Sequence, residues 1–192
     1  MENFTIIIPV YNEEKLIVKN ITDLVSFLDK KDLKNYEIII GNNGSTDGTA
    51  EKGGELARMF LKKVRFFSIN KKGVGRVFKK AVKLAKYENI VSQDMDLSTD
   101  LDFIPTAIEL LKKCDIVIGS KKMGSQKRSF LRKIPSAFFI FIVKLLLGLP
   151  YEDYSMAAKA YKKEAIIRHI NKVDYGTSYV IDLIYFAKKD KR

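Results

Sequence analysis

An α/β fold, with a mostly parallel sheet flanked by helices on both faces, is the architecture that this 192-residue sequence predicts. Two observations carry that expectation. From residue 4 to residue 119, short β-branched and aromatic runs alternate with stretches of helical apolar spacing, the rhythm of successive strand–helix–strand units. Polar motifs also follow directly on the apolar runs, where an open α/β sheet places its ligand crevice.

The elements follow in order. Phe4–Val10 is a β-rich, mainly apolar run with Pro9 near its end and reads as a buried strand. Residues 16–28 carry apolar side chains at 17, 18, 21, 24, 25 and 28, one face of a helix. Residues 36–40 form a second strand. Residues 46–60 form a second helix, with Asp47 near its positive end. A strand over 64–69, a helix over 75–86 and a strand over 89–93 come next. Residues 101–111 make a helix with Pro105 in its first turn, where the missing N–H matters least. Residues 115–119 make a fifth strand.

Beyond residue 120 the alternation stops. Residues 121–133 are basic and polar and read as a loop. Residues 136–149 are almost wholly apolar, yet too short for a bilayer, which needs about 20 apolar residues. They suit a buried helix or one lying in the interface plane, giving the fold a C-terminal amphipathic or apolar helical segment. A strand over 156–161 and helices over 163–170 and 178–189 complete the chain.

Composition sets bounds. An apolar fraction of 46% and a charged fraction of 30% fit one globular domain. The single cysteine, Cys114, reads as a small core-edge residue and fits a reducing, cytoplasmic compartment. The sequence runs almost directly into its first strand, so a signal peptide is not expected. The net charge of +12 favours anionic partners. No nucleic-acid fold signature accompanies it, and aromatic residues do not interleave with the basic cluster, so nucleic acid is not an expected partner. A lysine-rich solvated surface accounts for the bulk charge equally well. His169, the lone histidine, lies in a late helix and offers no catalytic triad.

Four ordered motifs carry the chemistry. Ile8-Pro9-Val10-Tyr11-Asn12-Glu13-Glu14 follows the first strand, and Asn42-Asn43-Gly44-Ser45-Thr46-Asp47-Gly48-Thr49 follows the second. Asp94-Met95-Asp96 closes the fourth, and Gly119-Ser120-Lys121 closes the fifth. Two carboxylates on one side of an extended strand end suit a hard divalent cation that also binds a diphosphate. The Asn-Gly-Ser-Thr-Asp-Gly run suits a tight turn and a helix cap, with an asparagine facing a nucleoside. Asp100 reads as a cap for the following helix. Lys72-Gly73-Val74-Gly75 opens a helix after a strand, where glycines let backbone approach a phosphate. The basic residues Lys121, Lys122, Lys127, Arg128, Arg132 and Lys133, followed by Ser136, suit an acceptor with a charged head and a greasy tail, or simply a solvated loop.

Taken together, these motifs resemble family 2 glycosyltransferases of the GT-A (Rossmann-like) fold, and within them the dolichyl-phosphate and polyprenyl-phosphate hexose synthases. Arg132-Lys133-Ile134-Pro135-Ser136 and Leu147-Gly148-Leu149-Pro150 extend the match. The resemblance implies a single domain over 1–192, with a nucleotide-sugar-binding half over 1–120 and an acceptor-binding half over 121–192. It implies an inverting hexose transfer from a UDP-glucose or GDP-mannose type donor to polyprenyl phosphate. Mg2+ or Mn2+ would assist, peripherally at the cytoplasmic (inner) membrane face. By position, Pro9, Tyr11, Glu13 and Asn43 would line the nucleotide pocket, with Lys72 and Met95 beside them. Asp94 and Asp96 would hold metal and diphosphate, and Lys121, Arg132 and Ser136 would meet the acceptor phosphate. A saccharide or protein hydroxyl acceptor would need a carboxylate base, for which Asp153 and Asp182 stand as candidates. A weakly catalytic nucleotide-sugar-binding protein is the further alternative. The sequence departs from the family at Asn42-Asn43, where two acidic residues are usual, and at Lys121, where arginine is usual.

Overall fold

A computed structural model describes residues 2–119 and 158–190. Its centre is a six-stranded sheet in the order β3-β2-β1-β4-β6-β5. The elements run β1 (Phe4–Val10), α1 (Ile17–Lys30), β2 (Tyr36–Asn42), α2 (Thr49–Met59), β3 (Val64–Ser68), α3 (Val74–Leu84), β4 (Asn89–Ser92), α4 (Phe103–Leu110) and β5 (Ile116–Ile118). Then come β6 (Lys159–Lys162), α5 (Lys163–Ile167) and α6 (Tyr179–Lys189). β1, β2, β3 and β4 are parallel, while β6 runs antiparallel between β4 and β5. The sheet is therefore mostly parallel, as the alternation predicts. The chain winds outward through β2 and β3, then returns to the other side of β1 at β4, which leaves a crevice at the carboxyl ends of β1 and β4.

The apolar runs are continuous because both faces of the sheet are covered. Phe4, Ile6, Ile8 and Val10 of β1 join Ile38, Ile40 and Val91 in a core with α1, α2 and α4. Ile7, Ile39 and Ile90 point the other way, into a core with α3, α5 and α6. Successive residues on a strand thus serve opposite layers. Gly41 lets α3 lie against β2, since a Cβ there would come 2.2 Å from Val77 Cγ1.

Strand and helix assignments agree with the sequence reading apart from their ends. The second helix begins at Thr49 rather than residue 46, because residues 45–48 are consumed by a turn bonded to the β1 loop. β6 begins at Lys159 rather than residue 156 among the described residues. The C-terminal helix α6 is amphipathic, burying Tyr179, Val180, Leu183, Ile184 and Ala187 and ending in Lys188 and Lys189. The basic stretch 121–133 and the apolar stretch 136–149 lie outside the described residues. Cys114 is exposed, which corrects its expected place at the core edge. His169 stacks on Phe186 at 4.7 Å and bonds Asp190 at 2.8 Å, a packing role. No helix among the described residues is long and apolar enough to cross a membrane.

At the amino ends of the strands lies one buried carboxylate, Glu37, 4% exposed. It accepts hydrogen bonds from Thr5 Oγ1 at 2.8 Å, from Arg65 at 3.1 Å and from the Lys86 N–H. Glu37 thereby ties β1, β2, β3 and the end of α3 together. Removing it takes the acceptor from Thr5 Oγ1 and the Lys86 N–H, while Arg65 keeps its bond to the Leu84 carbonyl at 2.9 Å. Glu37→Ala is expected to lower unfolding free energy by about 2–3 kcal/mol in urea titration, while leaving ligand binding at the opposite end of the sheet unchanged.

Candidate active site

The crevice is built from three turns. After β1 the backbone turns sharply at Asn12, whose φ of 55° is left-handed, a conformation asparagine tolerates better than most residues. Three consecutive backbone N–H groups there find side-chain acceptors on the β2 turn. Asn12 donates to Ser45 Oγ at 2.9 Å, Glu13 to Thr49 Oγ1 at 2.8 Å and Glu14 to Asp47 Oδ2 at 3.2 Å. In return Thr46 N–H donates to Asn12 Oδ1 at 2.9 Å and Gly48 N–H to Glu14 Oε2 at 3.1 Å. The bond from Gly48 and the Lys52 ammonium hold the Glu14 carboxyl below its usual range.

The third turn presents the aspartates. Met95 is buried while Asp94 and Asp96 on either side are exposed, so the core anchors the middle residue and turns both carboxylates outward. Asn20 of α1, itself buried, fixes this turn by donating to the Met95 carbonyl at 2.9 Å. Leu97 closes it at φ 48°, with its N–H directed to the Asp94 carbonyl at 3.3 Å. Asp96 Oδ1 accepts the Ser98 N–H at 3.0 Å. Asp100 then accepts the Asp102 N–H at 3.0 Å in the turn ahead of α4, but Asp102 holds the N-cap position and no side chain caps the helix, which corrects the capping role expected of Asp100.

Between these turns lies a cleft of about 220 Å³ lined by Pro9, Tyr11, Glu13, Asn43, Asp94 and, from α6, Tyr179. Four of the expected nucleotide-pocket residues are therefore brought together with the first aspartate. Burial pushes the Glu13 carboxyl above its ordinary value, and the fields of Asp96, Asp47 and Asp94 push it further. Asp96 thus acts on the same group as Asp94. Lys72 reaches the site edge, its ammonium 3.5 Å from the centre of the Tyr11 ring. Met95 serves as the buried anchor rather than as a lining residue.

Other expectations are revised. Asn43 Oδ1 accepts the Gly73 N–H at 2.6 Å, so its oxygen braces the β2 turn against α3 and keeps one lone pair, beside the amide N–H donors, for a base edge. Asn42 bonds Ser45 and Ser68 and holds the turn. The glycine at the start of α3 does not open that helix end to a phosphate. Gly75 N–H donates to the carbonyls of Tyr175 and Gly176, and a Cβ at 75 would meet Asp174 O at 2.3 Å. The glycine makes room for the chain's own segment 174–176. Asp182 does not line the cleft, and its Oδ2 accepts the Asp174 N–H at 2.7 Å, pinning that same segment. Lys121, Arg132, Ser136 and Asp153 lie outside the described residues.

Tyr179 and Ser92 are lining residues that sequence reasoning missed, and Tyr179 comes from far along the chain. Its hydroxyl is pushed up to about 12 by burial and by the Asp94 charge, against the opposing effect of its bond with Ser92. The apolar periodicity of residues 178–189 marks it as a core residue and gives no sign of its polar end. It also carries residues past 120 into the donor-side cleft.

Comparison with known proteins settles the family. The sequence pattern of Glycosyl transferase family 2 matches residues 5–170. The chain belongs to that family. It is 28% identical over 210 residues to a dolichyl-phosphate beta-glucosyltransferase of Dictyostelium discoideum, covering 96% of this chain and 62% of that protein. It is 26% identical over 163 residues to an undecaprenyl-phosphate 4-deoxy-4-formamido-L-arabinose transferase of Aeromonas hydrophila, covering 84% and 49%. This glycosyltransferase chain thus spans about half to three fifths of the length of those relatives. In fold it is similar to a mannosyltransferase from Pyrobaculum calidifontis solved with GDP-Man and Mn2+, at a TM-score of 0.65 and 20% identity over 95% of this chain and 52% of the other.

The crowded carboxylates at Glu13 have a measurable consequence. Because its folded-state value is raised, the folded protein is penalised when Glu13 ionises, and that penalty disappears as the pH falls below the ordinary value of 4.5. Glu13→Gln is expected to melt at a higher temperature than the parent at pH 7, with the difference closing in scanning calorimetry below about pH 4.5.

Proposed function

We propose that this family 2 domain transfers a hexose, with inversion, from a nucleotide sugar to polyprenyl phosphate, assisted by Mg2+ or Mn2+. The observation that carries the reading is the Asp94-Met95-Asp96 turn: Asp94 lines a cleft with Pro9, Tyr11, Glu13 and Asn43, and the exposed Asp96 adds its field at Glu13. The names of the relatives support the acceptor class.

The donor set suits a divalent cation. Among the described residues no group of three or more His, Cys, Asp or Glu side chains forms a closed metal cage. Two exposed carboxylates leave coordination positions for diphosphate oxygens, which is how Mg2+ is commonly held. A bound cation would neutralise charge on the departing diphosphate. Asp94 and Asp96 would hold it, and their mutual field with Glu13 is the negative potential it would relieve. Tyr11 and the Asn43 amide would orient the nucleoside, and Lys72, held over the Tyr11 ring, would offer its charge to the diphosphate.

At the reacting centre, an oxygen of the acceptor phosphate attacks the anomeric carbon as the bond to the nucleoside diphosphate breaks. That oxygen is already anionic, so the site needs no strong general base. The engagement of Asp182 with the Asp174 backbone agrees with that demand. Lys121, Arg132 and Ser136 would bind the acceptor phosphate at the membrane surface, where the lipid resides.

Calorimetry with UDP-glucose and GDP-mannose, with and without Mn2+, tests the donor half of this reading. Metal-dependent binding of one donor is the expected result. Asp96→Ala is expected to reduce turnover by about 10²–10³-fold. Full turnover of that variant at saturating donor would overturn the metal role. Replacing the lipid phosphate by a soluble sugar is expected to abolish transfer, and transfer to the sugar would assign a hydroxyl acceptor instead.

A further inference from the structure

On the outer side of α3 a groove of about 600 Å³ opens between that helix, the residues after β3 and Tyr175. It shares no lining residue with the Asp94 cleft. Arg76, Lys79, Lys80 and Lys83 line it, together with Lys71, and no carboxylate does. The four helical cations recur at i, i+3, i+4 and i+7, so they form one continuous face. Like charges at that spacing destabilise a helix unless something opposes them.

Within the described residues none of these cations is paired with a carboxylate. Lys79, 9% exposed, donates to the Asn171 carbonyl at 3.1 Å, and Lys83 donates to Asn171 Oδ1 at 2.7 Å. The Arg76 guanidinium lies 3.7 Å from the Tyr175 ring centre, and the Lys79 ammonium lies 4.2 Å from it. Carbonyl oxygens and a ring face thus fix the side chains in place without cancelling their charge. The result is a concave, preorganised surface of one sign, which concentrates field on an anion. Seven residues of helix separate Arg76 from Lys83, about 10 Å along the axis. That span exceeds one phosphate group and suits a ligand with several.

We propose that this groove is a second binding site, taking a ligand that carries two or more phosphate charges. The planar Arg76 fork would grip one phosphate, and the lysines would act as point charges on its neighbours. The proposal does not depend on the donor reading, because the two clefts are separate. A soluble oligophosphate and a cluster of anionic lipid headgroups share this chemistry, and two experiments distinguish them.

The whole chain is titrated with inorganic tripolyphosphate in EDTA at low salt. In parallel it is floated with vesicles of phosphatidylglycerol or of phosphatidylcholine. Lys80→Glu/Lys83→Glu, checked for folding by circular dichroism, is carried through both. The expected result is binding that falls with added salt and weakens about tenfold or more in the double variant. Donor binding with Mn2+, measured separately, should stay at the parent level. Binding of tripolyphosphate alone identifies a soluble ligand, and binding to phosphatidylglycerol vesicles identifies a headgroup. Failure of both, or binding that the double variant leaves unchanged, overturns the proposal. Loss of donor binding in the parent would count against the donor cleft and leave the groove to its own test.

Discussion

The mouth of the crevice depends on the hydrogen bonds that tie the loop after β1 to the loop after β2. A chain leaving a buried parallel strand carries backbone N–H groups that no longer have a strand partner. Here Asn12, Glu13 and Glu14 deliver three such donors in succession to Ser45, Thr49 and Asp47. Thr49 Oγ1 accepts from Glu13 while its own proton goes to Asp47 Oδ1, so one hydroxyl links both loops. The bond holds the Asp47 carboxyl below its usual range. Of the three, the Glu13 donor is part-buried, where an unmet N–H is costly, and the two exposed bonds on either side fix the path of the turn. The relative position of Tyr11, Glu13 and Asn43 follows from it. So does the late start of α2.

Much of the molecule was legible before any coordinates. The apolar runs at residues 4–10 and 36–40 announced strands covered on both faces, and the core divides Ile6 and Ile8 from Ile7 accordingly. The place of Asp94 and Asp96 was also legible, because strand ends of α/β sheets are where such carboxylates gather. Alternation alone could not show that Met95 is the anchor between them, since that follows from packing beneath the turn and from Asn20, 75 residues earlier in sequence.

What escaped the sequence is mostly what long-range packing decides. A glycine pair before a helix suggests phosphate, yet Gly73 and Gly75 accommodate residues 174–176, a neighbour that local pattern cannot reveal. Tyr179 looks like any aromatic on an amphipathic helix until the sheet places Ser92 and Asp94 beside its hydroxyl. Asp182 looked available for chemistry, but a backbone N–H eight residues earlier claims its carboxylate. In each case one tertiary contact decides between two roles that the residue type allows equally.

The placement of β6 bears on how the chain assembles. β5 is made before β6 but sits outside it, joined to the sheet through β6 alone. During synthesis from the amino terminus, β1 to β4 can therefore pair as each emerges, while β5 has no strand to join. β4 keeps an open edge until residues 159–162 arrive. Contacts of such long sequence separation form slowly, because the loop must close before they return any stabilisation. Insertion of β6 is the natural late step of folding. Until it occurs, the strand that leads into the aspartate turn presents an open edge to mispairing with another chain.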